Sequence, residues 1–243
     1  RCMSGLTHGH RFMPAVVSRV KFEPDRHDNG PKEVLGVKIP AGGGPNDLEQ
    51  LIDIVCEHPS TSRHIAQRMA RVFIADPAPP DAVDAIAATY RSSGGDIQKM
   101  LGAVLKQQAF REHAGSLFKR PFRYVASALR ATDADTQGGA IVQERLRRMG
   151  QPPFEYPTPD GYPLEAEPWF GSLLWRWNFS LDLMAGRIRG TSVQKDELVQ
   201  RFGSHDRLLA HFLGRRPTSL ELEQMNGDDG IAIGLSSPGF QWH

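Results

Sequence analysis

The stretch GGDIQKMLGAVLKQQAF (94–110) decides the fold class. From residue 96 to 110, apolar side chains fall at Ile97, Met100, Leu101, Val104 and Leu105. That recurrence at i, i+3, i+4 and i+7 lays one continuous stripe along a helix. Gly94-Gly95 stop the segment before it, where Val83, Ile86, Ala87 and Tyr90 repeat the period behind a helix start at Pro79-Pro80. Further upstream, 46–57 is read as a helix with Leu48, Leu51, Ile52 and Val55. A helix capped by Ser60 or Thr61 then runs to about Ala75, with Ile65, Met69, Val72 and Phe73 on one face.

Downstream, Pro121 opens a helix carrying Phe122, Val125, Ala126 and Leu129, and 140–149 carries Val142, Leu146 and Met149. Over 170–186 the stripe is read as Phe170, Leu173, Leu174, Trp177, Leu181 and Met184, which places Trp177 in the core. Shorter helices follow around Leu198, Val199 and Phe202, around Leu208, Leu209 and Phe212, and from Pro217-Thr218.

Only the first 44 residues depart from this period. Val20 and Phe22 alternate with polar residues, Val34, Leu35, Val37 and Ile39 follow, and Asn29-Gly30 between them is a hairpin signal. The expected fold is therefore mainly α, a multi-helical bundle with a small β-hairpin near the N-terminus. Residues 1–44 are read as hairpin and linker, and 45–243 as one contiguous helical domain.

Composition narrows function mostly by exclusion. The chain has 40% apolar and 23% charged residues and a net charge of +1, so no global field argues for nucleic acid. No window approaches the ~20 apolar residues of a membrane span. Cys2 and Cys56 do not make a disulfide framework, and Cys56, inside the apolar run 51–56, reads as a buried small hydrophobe. The basic clusters Lys119, Arg120, Arg123 and Arg145, Arg147, Arg148 read as solvated helix faces.

Chemistry-bearing residues gather in two places. The first is the loop QPPFEYPTPDGYP (151–163) with the following Trp169 and LLWRWNF (173–179), too rich in proline to be helical. Its aromatics Tyr156, Tyr162 and Trp169, with Asp160, Arg176 and Asn178 as polar contacts, form a candidate ligand-binding set for a flat small molecule or a glycan. The competing reading is that the loop caps the bundle, with Arg176 and Asn178 tying it down through its carbonyls. The second place is Asp25–Gly30, where an EF-hand pattern fails because position 12 is Gly36. A transition-metal site would draw on His27, Asp28, His58 and His64. The simpler reading has Asp28 bracing the Asn-Gly turn and His58 forming part of a helix-capping turn. Ser60–Ser62 lack a nucleophile elbow, and Gly42–Gly44 lack the lysine of a P-loop.

Several segments together resemble one bacterial family, the domain of unknown function numbered 1800. They are FEPDRHDNGPKEVLG (22–36), HPSTSRHIAQRMARVFIADPAPP (58–80), the stretch at 94–110, FKRPFRYVASALRA (118–131), the proline loop, RWNF (176–179) and GLSSPGFQ (234–241). Tyr156 stands where the family usually has Trp. The resemblance implies an N-terminal helical portion preceding this chain. It also implies an extracytoplasmic location, since members often carry an export signal. It brings no activity and no cofactor. Two functions follow as expectations: a cell-envelope binding or assembly protein recognising its partner through 151–178, or a metal-dependent enzyme on the histidine set.

Overall fold

The computed structural model describes residues 1–8, 20–227 and 229–242. It is mainly α-helical, with three small two-stranded antiparallel sheets among the described residues. No helix among them is long and apolar enough to cross a membrane. The chain divides into two compact units, one of Arg1–Ala70 with Pro80–Gln107, the other of Arg71–Pro79 with Gln108–His243.

The first unit begins with β1 (Leu6–His8) paired to β2 (Val20–Phe22), and β3 (Lys32–Val34) paired to β4 (Val37–Ile39). A hairpin is present as expected, but Asn29-Gly30 is not its tip. The tight turn is Leu35-Gly36, with φ of +49° and +80°. Positive φ at both central positions matches the twist of the flanking strands. Asn29-Gly30 instead forms a turn braced by Asp28, whose Oδ1 accepts the Gly30 N–H at 2.9 Å.

Helices α1 (Asn46–Glu57), α2 (Pro59–Phe73), α3 (Pro80–Ser93) and α4 (Ile97–Lys106) follow. Ser60 and Thr61 do not cap α2, because it starts one residue earlier at Pro59. The His58 Nδ1 accepts the Ser60 N–H at 3.2 Å and does the capping itself. α3 packs on α4, burying Val83, Ile86, Met100 and Val104. α4 ends at Lys106 rather than Phe110, because Gln107 turns extended and its side chain caps the Ala103 carbonyl at 3.0 Å. Cys56 is exposed and Cys2 is buried, the reverse of the expectation for Cys56. The apolar run that suggested burial belongs to a helix whose Ile52 and Val55 face solvent.

The second unit holds α5 (Gln108–Glu112), α6 (Pro121–Ala131), α7 (Ala140–Arg148), a 3₁₀ turn at Glu167–Ser172 and α8 (Leu173–Met184). After them come α9 (Lys195–Phe202), α10 (His205–Leu213), α11 (Ser219–Gln224), α12 (Gly230–Ser236) and α13 (Pro238–Gln241). The short strands β5 (Asp135–Thr136) and β6 (Thr191–Ser192) pair between them. Tyr124, Val142, Leu146, Phe179, Leu183, Leu208, Phe212 and Phe240 belong to one buried cluster. α8 lies against α12, and its buried face is Arg176, Phe179, Ser180, Leu183 and Met184. Trp177 is therefore not core: it is 48% exposed, with Phe170, Leu174 and Leu181 exposed on the same side. The helix is apolar nearly all round, so periodicity could not choose its inner face.

Candidate functional site

Three connected features shape the second unit's concave surface: the proline loop, a buried arginine and the strap 118–123 between them. The loop begins at Gln151, whose buried side chain accepts the Phe122 N–H at 2.8 Å and so caps the start of α6. Burying that amide satisfies one of the orphan donors of a helix N-terminus. Tyr162 donates to the Pro152 carbonyl at 2.7 Å, folding the loop onto itself. The rings of Tyr156 and Tyr162 meet at 4.5 Å, tilted by 56°, and Tyr162 meets Trp169 at 6.0 Å. The Trp169 indole N–H and the Arg120 guanidinium both donate to the Pro163 carbonyl. The loop is thus fixed by its own aromatics and by Arg120.

Arg176, read as a candidate ligand contact or, on the competing reading, as a tie for that loop, anchors the strap instead. It is completely buried, and its Nη1 donates at 2.7 Å to both the Lys119 carbonyl and the Gln241 Oε1. Nε donates to Ser172 Oγ at 2.9 Å. The guanidinium lies over Phe118 at 4.6 Å and Tyr124 at 5.0 Å, while Nη2 is buried without a hydrogen-bond partner among the described residues. Burial pushes this guanidinium down to about 10. The Lys119 N–H in turn donates to the Gln241 carbonyl at 2.7 Å, and Phe118 bridges to Trp242. The tyrosine under the arginine, Tyr124, gives its hydroxyl to the Arg176 carbonyl at 3.0 Å and pairs with Ser180. Burial pushes its phenol well above the ordinary range.

In front of the strap opens a cavity of 410 Å³. Phe118 is its central ring, edge-on to Phe170 at 5.3 Å and to Trp242 at 5.1 Å. Charged side chains complete the lining. Arg71 makes a two-pronged pair with Asp76 at 2.8 and 2.9 Å and also reaches Glu165, and Arg120 and Arg123 stand on the strap itself. An aromatic wall with a few convergent polar groups is the common make-up of a small-molecule site.

Among the sequence candidates, none of Tyr156, Asp160, Tyr162, Trp169, Arg176 and Asn178 lines this cavity. Trp169 and Arg176 are buried behind it, Tyr156, Tyr162 and Asn178 are half-buried, and Asp160 is exposed. The lining residues Arg71, Asp76, Phe118, Glu165 and Trp242 were not singled out. Phe118, Arg120 and Arg123 lie in FKRPFRYVASALRA, whose aromatic–basic alternation was the available signal.

The histidine set does not converge. His27 is buried in the first unit, its Nε2 3.0 Å from the Asp47 carboxylate and its Nδ1 2.8 Å from the Ser4 carbonyl. Lys32 is the third member, also paired to Asp47. Asp28 engages Arg1, and that hydrogen bond holds its carboxyl well below the usual range. His58 caps α2 and His64 is exposed. No group of three or more His, Cys, Asp or Glu placed to hold a metal occurs among the described residues.

These features define a helical protein with a built, aromatic-walled cavity of small-molecule size. The chain belongs to the family described as protein of unknown function (DUF1800), whose model matches residues 1–242. No curated protein and no solved structure matches it.

Proposed function

We propose that this is a non-enzymatic binding or assembly protein of the bacterial cell envelope, recognising a flat or glycan-like ligand in the cavity walled by Phe118, Phe170 and Trp242. The carrying observation is that cavity: Phe118 in edge contact with both Phe170 and Trp242, beside Arg71, Asp76 and Glu165. Aromatic faces take the apolar face of a sugar ring, while paired carboxylates and guanidinia accept and donate to its hydroxyls. The proline–aromatic loop supports the site from behind by fixing Pro163 and Trp169, one residue from Phe170. The envelope location is supported by the family resemblance, since members often carry an export signal. The enzymatic alternative draws no support from His27, Asp28 and His58, each of which is committed to a neighbour.

Calorimetric titration with soluble peptidoglycan fragments tests the reading. Saturable binding that weakens about tenfold in Phe170→Ala, one lost aromatic contact, is the expected result. Absence of binding, or binding indifferent to Phe170→Ala and Trp242→Ala, overturns the site. Fractionation of the native cells tests the location separately, and recovery in the cytosol overturns it.

A further inference from the structure

The other side of the strap carries a second concavity, of 550 Å³, running along α6. Lys119, Arg123 and Arg130 line it from the strap and helix, His211 and Phe240 face them, and Phe122 stands 52% exposed at its edge. No carboxylate lines it among the described residues.

Lys119 is the informative residue. It is 8% exposed, so its side chain is desolvated like a core residue. Its ammonium has no hydrogen bond or ion pair among the described residues, only the Phe240 ring at 3.7 Å. Burying an ammonium without a counter-charge is costly, and a cation–π contact recovers only part of that. Folding nevertheless holds the group there, because the Lys119 backbone is clamped on both sides by Gln241 and Arg176. Along α6, Arg123 and Arg130 are seven residues apart, about 10 Å of helix on one face. The groove thus presents a deep point charge and a guanidinium at the rim, with an apolar ring beside them. An ammonium combined with a forked guanidinium suits a tetrahedral oxyanion.

We propose that this groove is an oxyanion site, taking the phosphoryl group of a phosphomonoester on Lys119 and Arg130 with the organic part lying on Phe122. The two concavities share Arg123, but Lys119 and Arg130 line only this one, so the proposal does not rest on the ligand assigned to the aromatic cavity. Burial pushes the Lys119 ammonium down to about 8, and a bound dianion would raise it again.

The test is calorimetric titration of the full chain at neutral pH with phenyl phosphate and with inorganic phosphate, for the native protein, Lys119→Met and Arg130→Gln. Saturable binding of phenyl phosphate is expected, weakened about tenfold or more in each variant. An amine reagent should also modify Lys119 more slowly when phenyl phosphate is present. Tighter binding of phenyl phosphate than of phosphate assigns the ester body to Phe122, and equal binding assigns the site to free phosphate. Failure of both to bind up to about 10 mM, a range that covers weak single-site contacts, overturns the proposal. So does binding that neither variant changes. Arg130 is exposed, so Arg130→Gln preserves the fold and keeps the test decisive should Lys119→Met fold poorly.

Discussion

Asp47 in the first unit and Arg176 in the second are both fully buried charges, and each has one buried polar atom without a partner among the described residues. They are stabilised in opposite ways. Asp47 is answered by a counter-charge: Lys32 pairs with its Oδ2, which the His27 ring also meets. Arg176 is answered by dipoles and π faces, namely a carbonyl, an amide oxygen, a hydroxyl and two rings, with no carboxylate among the described residues. A neutralised cluster fixes chain segments and asks for nothing more. In the second unit, among the described residues, positive charge is left over, on Arg176 in the core and on Lys119 at the groove. Uncompensated charge that folding tolerates is where a ligand has something to offer.

The sharpest break of this comparison is Lys32→Met. Removing one member of a buried cluster leaves Asp47 poorly compensated, and the melting temperature should fall by roughly 10 °C. Adding Asp47→Asn should recover part of that loss, which circular-dichroism melts of the two singles and the double would measure. A double variant with the summed loss would mean that the cluster is not held by charge. The sign with pH follows from the Lys32 hydrogen bond, which lowers the Asp47 carboxyl in the folded state. Its contribution is therefore complete above the unfolded value near ~3.9 and is lost as pH falls through the folded one. Asp47→Asn should flatten the acid limb of the stability curve.

Arg176→Leu comes next, at about 2 kcal/mol of destabilisation in denaturant melts. It orphans the Lys119 carbonyl and the Gln241 amide oxygen but also removes a desolvated cation, so the two effects partly cancel. Arg176→Lys should do no better, because a single ammonium cannot serve Ser172, Lys119 and Gln241 in one plane. A neutral result for Arg176→Leu would mean that the strap is held by its bridge to Trp242 instead.

Legibility differed between the two units for physical reasons. The helical period and the hairpin near the start were readable, because one-sided stripes such as Met100–Val104 and Leu208–Phe212 have a clear inner face. Asp28 bracing the Asn-Gly turn and His58 capping α2 were readable too, since both are local bonds spanning two residues. Arg176 was not. A fully buried arginine carries no marker in RWNF, and its partners Lys119 and Gln241 lie 57 and 65 residues away. The cavity was hidden for the same reason: Arg71, Phe118, Glu165 and Trp242 come from four separate stretches that only tertiary folding brings together.

A smaller effect separates the two ways of burying charge. Lys119→Met keeps the stem and removes an unpartnered cation. At neutral pH it should stabilise the protein by about 1 kcal/mol, the burial cost less the lost contact with Phe240. Because the folded ammonium titrates at about 8 against an ordinary 10.5, the unfolded chain holds the extra proton between those values. Native stability should then rise with pH across that window while Lys119→Met stays level. A variant less stable than the native chain at every pH would place Lys119 with the structural charges of the first unit.

The smallest effect concerns the helix whose inner face the period could not select. Trp177→Ser should cost less than about 1 kcal/mol, whereas a tryptophan in a packed core costs 3–5 when truncated, by the usual range of about that size. The reason is Arg176 next to it: its bonds to Lys119 and Gln241 turn that residue inward and leave Trp177 48% exposed beside Leu174 and Leu181. Hydrogen bonds made by one buried cation thereby outweigh the burial of an indole, because an orphaned guanidinium and two orphaned acceptors would cost more than a half-wet ring. A loss near the core value would mean that α8 is rotated, with Trp177 inward. The clamp on the strap, and with it both concavities, would then have to be redrawn.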